Sequence, residues 1–113
     1  MILGEALRPV VVALGLLFAT TLAQAQTPVV ELVIRGHLFY PAEVEVPAHT
    51  KVKLLVINED PTPEEFESYE LNREKVILGK SRAVIFIGPL APGEYPFFGE
   101  FNMSTALGTI IAR

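Results

Sequence analysis

The chain has 113 residues, enough for one domain, and no cysteine, which excludes disulfides and thiolate metal ligands together. Nine Lys and Arg against thirteen Asp and Glu give a formal charge of −4. An acidic balance without a basic cluster excludes the electrostatic footprint of a nucleic-acid binder and suits a cation or a basic protein.

Residues 1–25 read as an export signal. Arg8 and the amino terminus give a weakly positive start, Val10 to Leu22 is apolar, and Ala23-Gln24-Ala25 is a small-x-small cleavage site. An uncleaved anchor is the alternative, but the apolar run is 13 residues and a spanning helix needs roughly 20. Cleavage leaves 88 of the 113 residues, 26–113, as the mature domain. Glu5 and Arg8 cancel, so its charge stays at −4. No membrane span follows cleavage. A domain this small without disulfides must hold its fold by core packing, aided by a metal or a partner.

Val30, Leu32 and Ile34 alternate with Glu31, Val33 and Arg35, the period of a half-buried strand, which Gly36-His37 interrupts. Phe39-Tyr40-Pro41 leads to Val44 and Val46 alternating with Glu43 and Glu45, and Pro47 to Thr50, His49 included, is a turn. Lys51 to Asn58 places Val52, Leu54 and Val56 on one face and Lys51, Lys53, Leu55 and Ile57 on the other. A strand apolar on both faces near its end reads as central and covered twice there.

Glu59 to Ser68 reads as a loop, with two prolines, four glutamates and one aspartate in ten residues. Tyr69 to Leu78 is a strand or an irregular segment, with a helical turn left open. Ala83 to Ile87 is a strand that Gly88-Pro89 ends. Pro92-Gly93 turns the chain into Tyr95 and Phe97, and Gly108 precedes a last apolar strand. About seven short strands separated by Pro/Gly turns predict an all-β antiparallel sandwich; periodicity leaves the topology open, although the missing Cys…Trp…Cys pattern counts against an immunoglobulin domain.

Leu90-x-Pro92-Gly93-x-Tyr95-x-Phe97, with Gly108-x-Ile110 behind it, resembles the carboxyl-terminal signature of cupredoxins. Phe39-x-Pro41 through Val52 and Val56-x-Asn58-x-Asp60 extend the likeness over nearly the whole mature chain. The resemblance implies a cupredoxin-like Greek-key β-sandwich. Gly99 stands where a blue-copper cysteine would be and Asn102 where its histidine would be. Pro63 to Ile77, Ile87 to Leu90 and Phe97 to Phe101 further resemble EfeO-type cupredoxin-like domains, exported bacterial proteins associated with iron uptake permeases. Those domains carry a histidine at the position of Asn102.

If that topology holds, His37, Glu64, Glu65, Glu67, Glu100, Asn102 and Met103 gather at the pole where copper would sit. One histidine among carboxylates is an oxygen-rich donor set for copper or iron, Cu(II), Fe(II), Fe(III) or Mn(II), and not a type 1 blue-copper centre. Each residue also has a plainer role: a solvated loop face for the glutamates, a strand-end cap for His37, a turn for Asn102, packing for Met103. The resemblance implies a periplasmic accessory of iron uptake that binds iron, or passes it or an electron, to a membrane iron permease or its periplasmic partner protein, with ferrous-iron oxidation permitted. The alternative is a metal-free module that docks a protein partner through its acidic loop and aromatic pole. Hydrolysis is excluded in practice, because no nucleophile–base pair can be assembled around His37 or His49.

Overall fold

A computed structural model describes Gly4 and residues 26–113; the signal and its cleavage site lie outside the described residues. Nine strands form, β1 Val29–Arg35, β2 Leu38–Tyr40, β3 Glu43–Val46, β4 Val52–Asn58, β5 Glu64–Ser68, β6 Arg73–Ile77, β7 Arg82–Ile87, β8 Gly93–Gly99 and β9 Leu107–Ala112, with one 3₁₀ turn at Glu100–Asn102. They make two packed sheets, ordered β2-β1-β4-β7 and β3-β9-β8-β5-β6. Among the described residues no helix is long and apolar enough to cross a membrane.

The predicted sandwich is present, with nine strands among the described residues in place of about seven and with mixed rather than antiparallel sheets. β1 runs parallel to β4, with Leu32 opposite Val56, and β3 runs parallel to β9, with Val44 opposite Ile110. Parallel neighbours follow from crossing between layers: β3 leaves the first sheet for the second, so its neighbour is a strand distant in sequence. The expected loop over Glu59–Ser68 is half wrong. Glu64–Ser68 is a strand paired on both sides, to β6 and to β8. Its glutamates suggested solvent, but Phe66 is fully buried between Glu64 and Ser68, and both polar neighbours find partners inside. Tyr69–Leu78 resolves into a turn and β6.

Between the sheets the rings of Phe39, Phe66 and Phe97 pack together. Phe97 stacks on Phe66 at 5.0 Å and meets Phe39 edge-on at 4.9 Å, arrangements that add to their area burial. Gly108 on β9 lies opposite Phe97, and a Cβ there would come within 2.2 Å of the ring. Glycine is thus required by close approach.

Asn58, at the end of β4, is 1% exposed. Its amide donates to the carbonyls of Thr62, Ile77 and Leu78, and its Oδ1 accepts from the Asp60 N–H. One side chain therefore ties the segment entering β5 to the end of β6. Gly108→Ala is expected to cost about 1–3 kcal/mol by overpacking, and Phe97→Leu is expected to relieve part of it, so the double variant loses less than the sum of the two. Urea denaturation of the four proteins measures this.

Candidate metal centre

β8 ends at Gly99, the chain makes its 3₁₀ turn, and β9 begins at Leu107. Beside that connection lies Glu64, the first residue of β5, whose position in the alternation points it inward with Phe66. It is 1% exposed. Oε1 accepts the Phe101 N–H at 2.9 Å and the Glu65 N–H at 3.0 Å, and Oε2 accepts the Asn102 side-chain amide at 2.7 Å. A Cβ on Gly99 would lie 2.6 Å from the Glu64 carboxyl carbon and 2.7 Å from the Ala106 Cβ. The space that a side chain at position 99 needs is therefore filled by this carboxylate. Gly99, Asn102 and Glu64 do not fit a thiolate copper centre: two of the three hydrogen-bond to each other, and the third carries no side chain.

His37 belongs to the turn between β1 and β2, with Gly36 and His37 both at φ 60°, the left-handed pair that a two-residue hairpin requires. Asp60 holds the turn, its Oδ1 accepting the Gly36 N–H at 2.7 Å and its Oδ2 the His37 N–H at 2.9 Å. Those bonds, His37's first, hold the Asp60 carboxyl below the usual range. The imidazole Nδ1 stands 3.6 Å from Asp60 Oδ2, and the His37 carbonyl accepts the Thr105 hydroxyl at 2.8 Å. The His37 turn and the 100–106 loop thus share one end of the sandwich. Met103 is 58% exposed there.

Residues 65 and 67 obey the opposite parity. Glu65 and Glu67 leave the outward face of the five-stranded sheet, where Phe66 pairs with Gly99 and brings Glu100 alongside. One carboxylate oxygen from each of Glu65, Glu67 and Glu100 can be chosen so that all three lie within 4.8 Å of one another. Glu67 is 8% exposed and its Oε2 is buried without a hydrogen-bond partner. A buried carboxylate oxygen left without a donor is costly, and native structures seldom carry one without a reason. Lost hydration first, then the charges of Glu100 and Glu74, push the Glu65 carboxyl above its usual value; for Glu67 the order after lost hydration is Glu74, then Glu100.

Of the seven residues singled out from sequence, three meet on this outer face. Glu64 and Asn102 pair with each other inside, His37 stands with Asp60, and Met103 faces solvent. Glu74 was missed. It lies directly opposite Glu67 across the β5–β6 ladder, a pairing that the loop reading of 59–68 concealed. Two like charges opposite each other destabilise a sheet unless something lies between them. Three or four converging carboxylates offer oxygen donors only, which suits hard cations.

Residues 9–112 match the Cupredoxin-like domain family. The chain belongs to that family. A relative by sequence is an uncharacterized protein of Rickettsia prowazekii (strain Madrid E), 46% identical over 84 residues, covering 74% of this chain and 67% of the other. Among solved structures the fold is similar to auracyanin A, a "blue" copper protein from Chloroflexus aurantiacus, with a TM-score of 0.66 at 10% identity over 78% of this chain and 100% of that one. It is also similar to the metal-binding domain of the Cu(I)-exporting P-type ATPase CopA of Streptococcus pneumoniae D39, solved with Cu(I), with a TM-score of 0.60 at 15% identity over 78% and 98%. At those identities the likeness is one of fold.

Two expectations follow for this cupredoxin-like domain. Glu64→Ala should cost about 1.5–3 kcal/mol or more, because it strips a charged acceptor from buried donors, whereas Glu100→Ala on the exposed turn should change stability little. Carboxyls raised in the fold bind protons more readily there than in the unfolded chain, so stability should rise as pH falls through the window above 4.5, the ordinary Glu value, and fall as pH rises through it. Glu67→Gln should flatten that slope in the metal-free protein, as read from melting temperature against pH.

Proposed function

We propose that this is a periplasmic, cupredoxin-like metal-binding accessory protein of bacterial iron uptake, and that its cation is held by Glu65, Glu67 and Glu100 with Glu74 beside them. The observation that carries the reading is the buried, unpartnered Glu67 Oε2 within a set of three converging carboxylates. A bound cation would give that oxygen its missing partner and, of the causes that raise the Glu65 and Glu67 carboxyls, lost hydration first and repulsion second, would remove the repulsion. The metal is copper or iron in an oxygen-rich setting, and carboxylate donors favour Fe(III) and Cu(II) over the reduced ions. The protein's own contribution is to hold Glu65 and Glu67 on one paired strand and Glu100 on a short turn fastened by Glu64. Delivery to a membrane iron permease or its periplasmic partner belongs to this proposal through the resemblance of residues 63–77 to EfeO-type domains.

A second reading has its own observation. Tyr69 is 74% exposed and packs on Phe98 at 5.5 Å, and Phe98 is paired with Glu67. An aromatic pair beside carboxylates also suits a basic protein partner, with no metal.

Thermal unfolding of the exported protein with Fe(III), Mn(II) and Cu(II) separates the two. A site of micromolar affinity should add about 2.7 kcal/mol at a hundredfold excess of ion, and Glu67→Gln should abolish the gain while His37→Ala retains it. If none of the three ions moves the transition, the metal-free module is the better account.

A further inference from the structure

The outward faces of the two sheets carry opposite charge. On the four-stranded sheet the residues opposed to the core are Arg35 on β1, Lys53 on β4 and Arg82 on β7, with Lys51 just before β4 and Glu31 the one carboxylate among the strands. Lys53 and Arg82 enter no ion pair among the described residues; Arg35 pairs with Glu59. On the five-stranded sheet Glu43, Glu45, Glu65, Glu67, Glu74 and Glu94 face outward, joined by Glu100, and Arg113 is paired to Glu45. A net charge of −4 conceals this separation.

Both faces are also apolar. The register lines up Lys53 with Phe86, Leu55 with Val84, and Val33 with Ile57 and Tyr40; Phe86 is 46% and Tyr40 45% exposed. Leu55 and Ile57 gave β4 its doubly apolar pattern, yet among the described residues no further layer packs on that side and both are only half-buried. The Lys51 ammonium lies 4.8 Å above the Phe86 ring, so charge and apolar surface are intermixed. At one end, Arg35, Lys80 and Arg82 line an open groove of about 710 Å³ with Ile57, Asn58, Ser81 and Glu59, the partner of Arg35. Across the molecule the acidic face carries Phe98, Leu107 and Val76 between its carboxylates. Uncovered apolar sheet of this extent marks an interaction surface.

We propose that the outward face of β1, β4 and β7 takes a second copy of this chain, docking on the outward face of that copy's β8, β5 and β6, so that copies stack head to tail. The two surfaces complement each other in sign and share apolar character, whereas two basic faces or two acidic faces brought together would repel. Such a contact is heterologous, joining different patches of the same chain, and it propagates or closes into a ring. One half of the contact is the side that the metal reading leaves without a role; the other half is the outward face that carries Glu65, Glu67 and Glu74.

Sedimentation velocity of the exported protein tests this. At low ionic strength the sedimentation coefficient should rise with concentration, and raising NaCl to about 0.5 M should return it to the monomer value, since exposed charges are then screened within a few ångströms. Zero-length cross-linking of mixed light and heavy-isotope protein should join Lys51 or Lys53 of one copy to Glu74 or Glu94 of another. Lys53→Glu with Arg82→Glu should be monomeric yet keep its thermal response to metal, and Glu74→Lys with Glu94→Lys should also be monomeric. Mixing the two variants should restore association, because every reversed face then meets a reversed complement. A monomer at every concentration in low salt, cross-links between like faces, or binding to phosphatidylglycerol vesicles without self-association would each overturn the proposal.

Discussion

The carboxylate of Glu64 is the fixed point of this domain's functional end. It is buried, it takes the Phe101 N–H and the Asn102 amide from the far side of a 3₁₀ turn, and it fills the volume beside Gly99. Three consequences follow from that one set of bonds. The connection between β8 and β9 is fastened to β5, the place that would hold a thiolate ligand is occupied by protein, and Glu100 is set beside Glu65 and Glu67. A buried carboxylate is tolerable only when its acceptors are used, and here Oε1 has two donors and Oε2 has one.

Strand alternation then divides the glutamate run between two jobs. Glu64 faces the core and acts as structure; Glu65 and Glu67, one and three residues later, face outward toward Glu100, where the proposed cation would sit. The pattern was present in the sequence, since Phe66 in the middle of the run has to be buried. It was hidden by composition, because two prolines and five acids in ten residues argue for a loop more strongly than one phenylalanine argues for a strand. Elsewhere the pattern was easier to read. β4 and β7 were legible from their period of two, and the Pro92-Gly93 turn with Tyr95 and Phe97 located β8. The mixed sheets were not legible, because which strand neighbours which across the layers depends on crossovers that leave no local mark. His37 shows a further limit: Gly36-His37 was visible as a break, but the partner that decides its role, Asp60, comes 23 residues later.

The charge distribution connects the site to its surroundings. Carboxylates gathered on one sheet raise the local concentration of cations at that face. Lost hydration first, and this crowding after it, push the Glu65 and Glu67 carboxyls upward in the metal-free protein, so a cation and protons compete for the same oxygens. The cupredoxin-like scaffold is thus kept while the end beside Gly99 is closed by Glu64, and the proposed ligand set lies on the adjoining outer face.

A crystal of the exported protein soaked in Mn(II), with anomalous difference density measured at the manganese edge, tests this arrangement most directly. The expected result is a single peak among the Glu65, Glu67 and Glu100 carboxylates, with Glu64 still bonded to Phe101 and Asn102. A peak between His37 and Asn102, with the Glu64 carboxylate swung onto the ion, would contradict it.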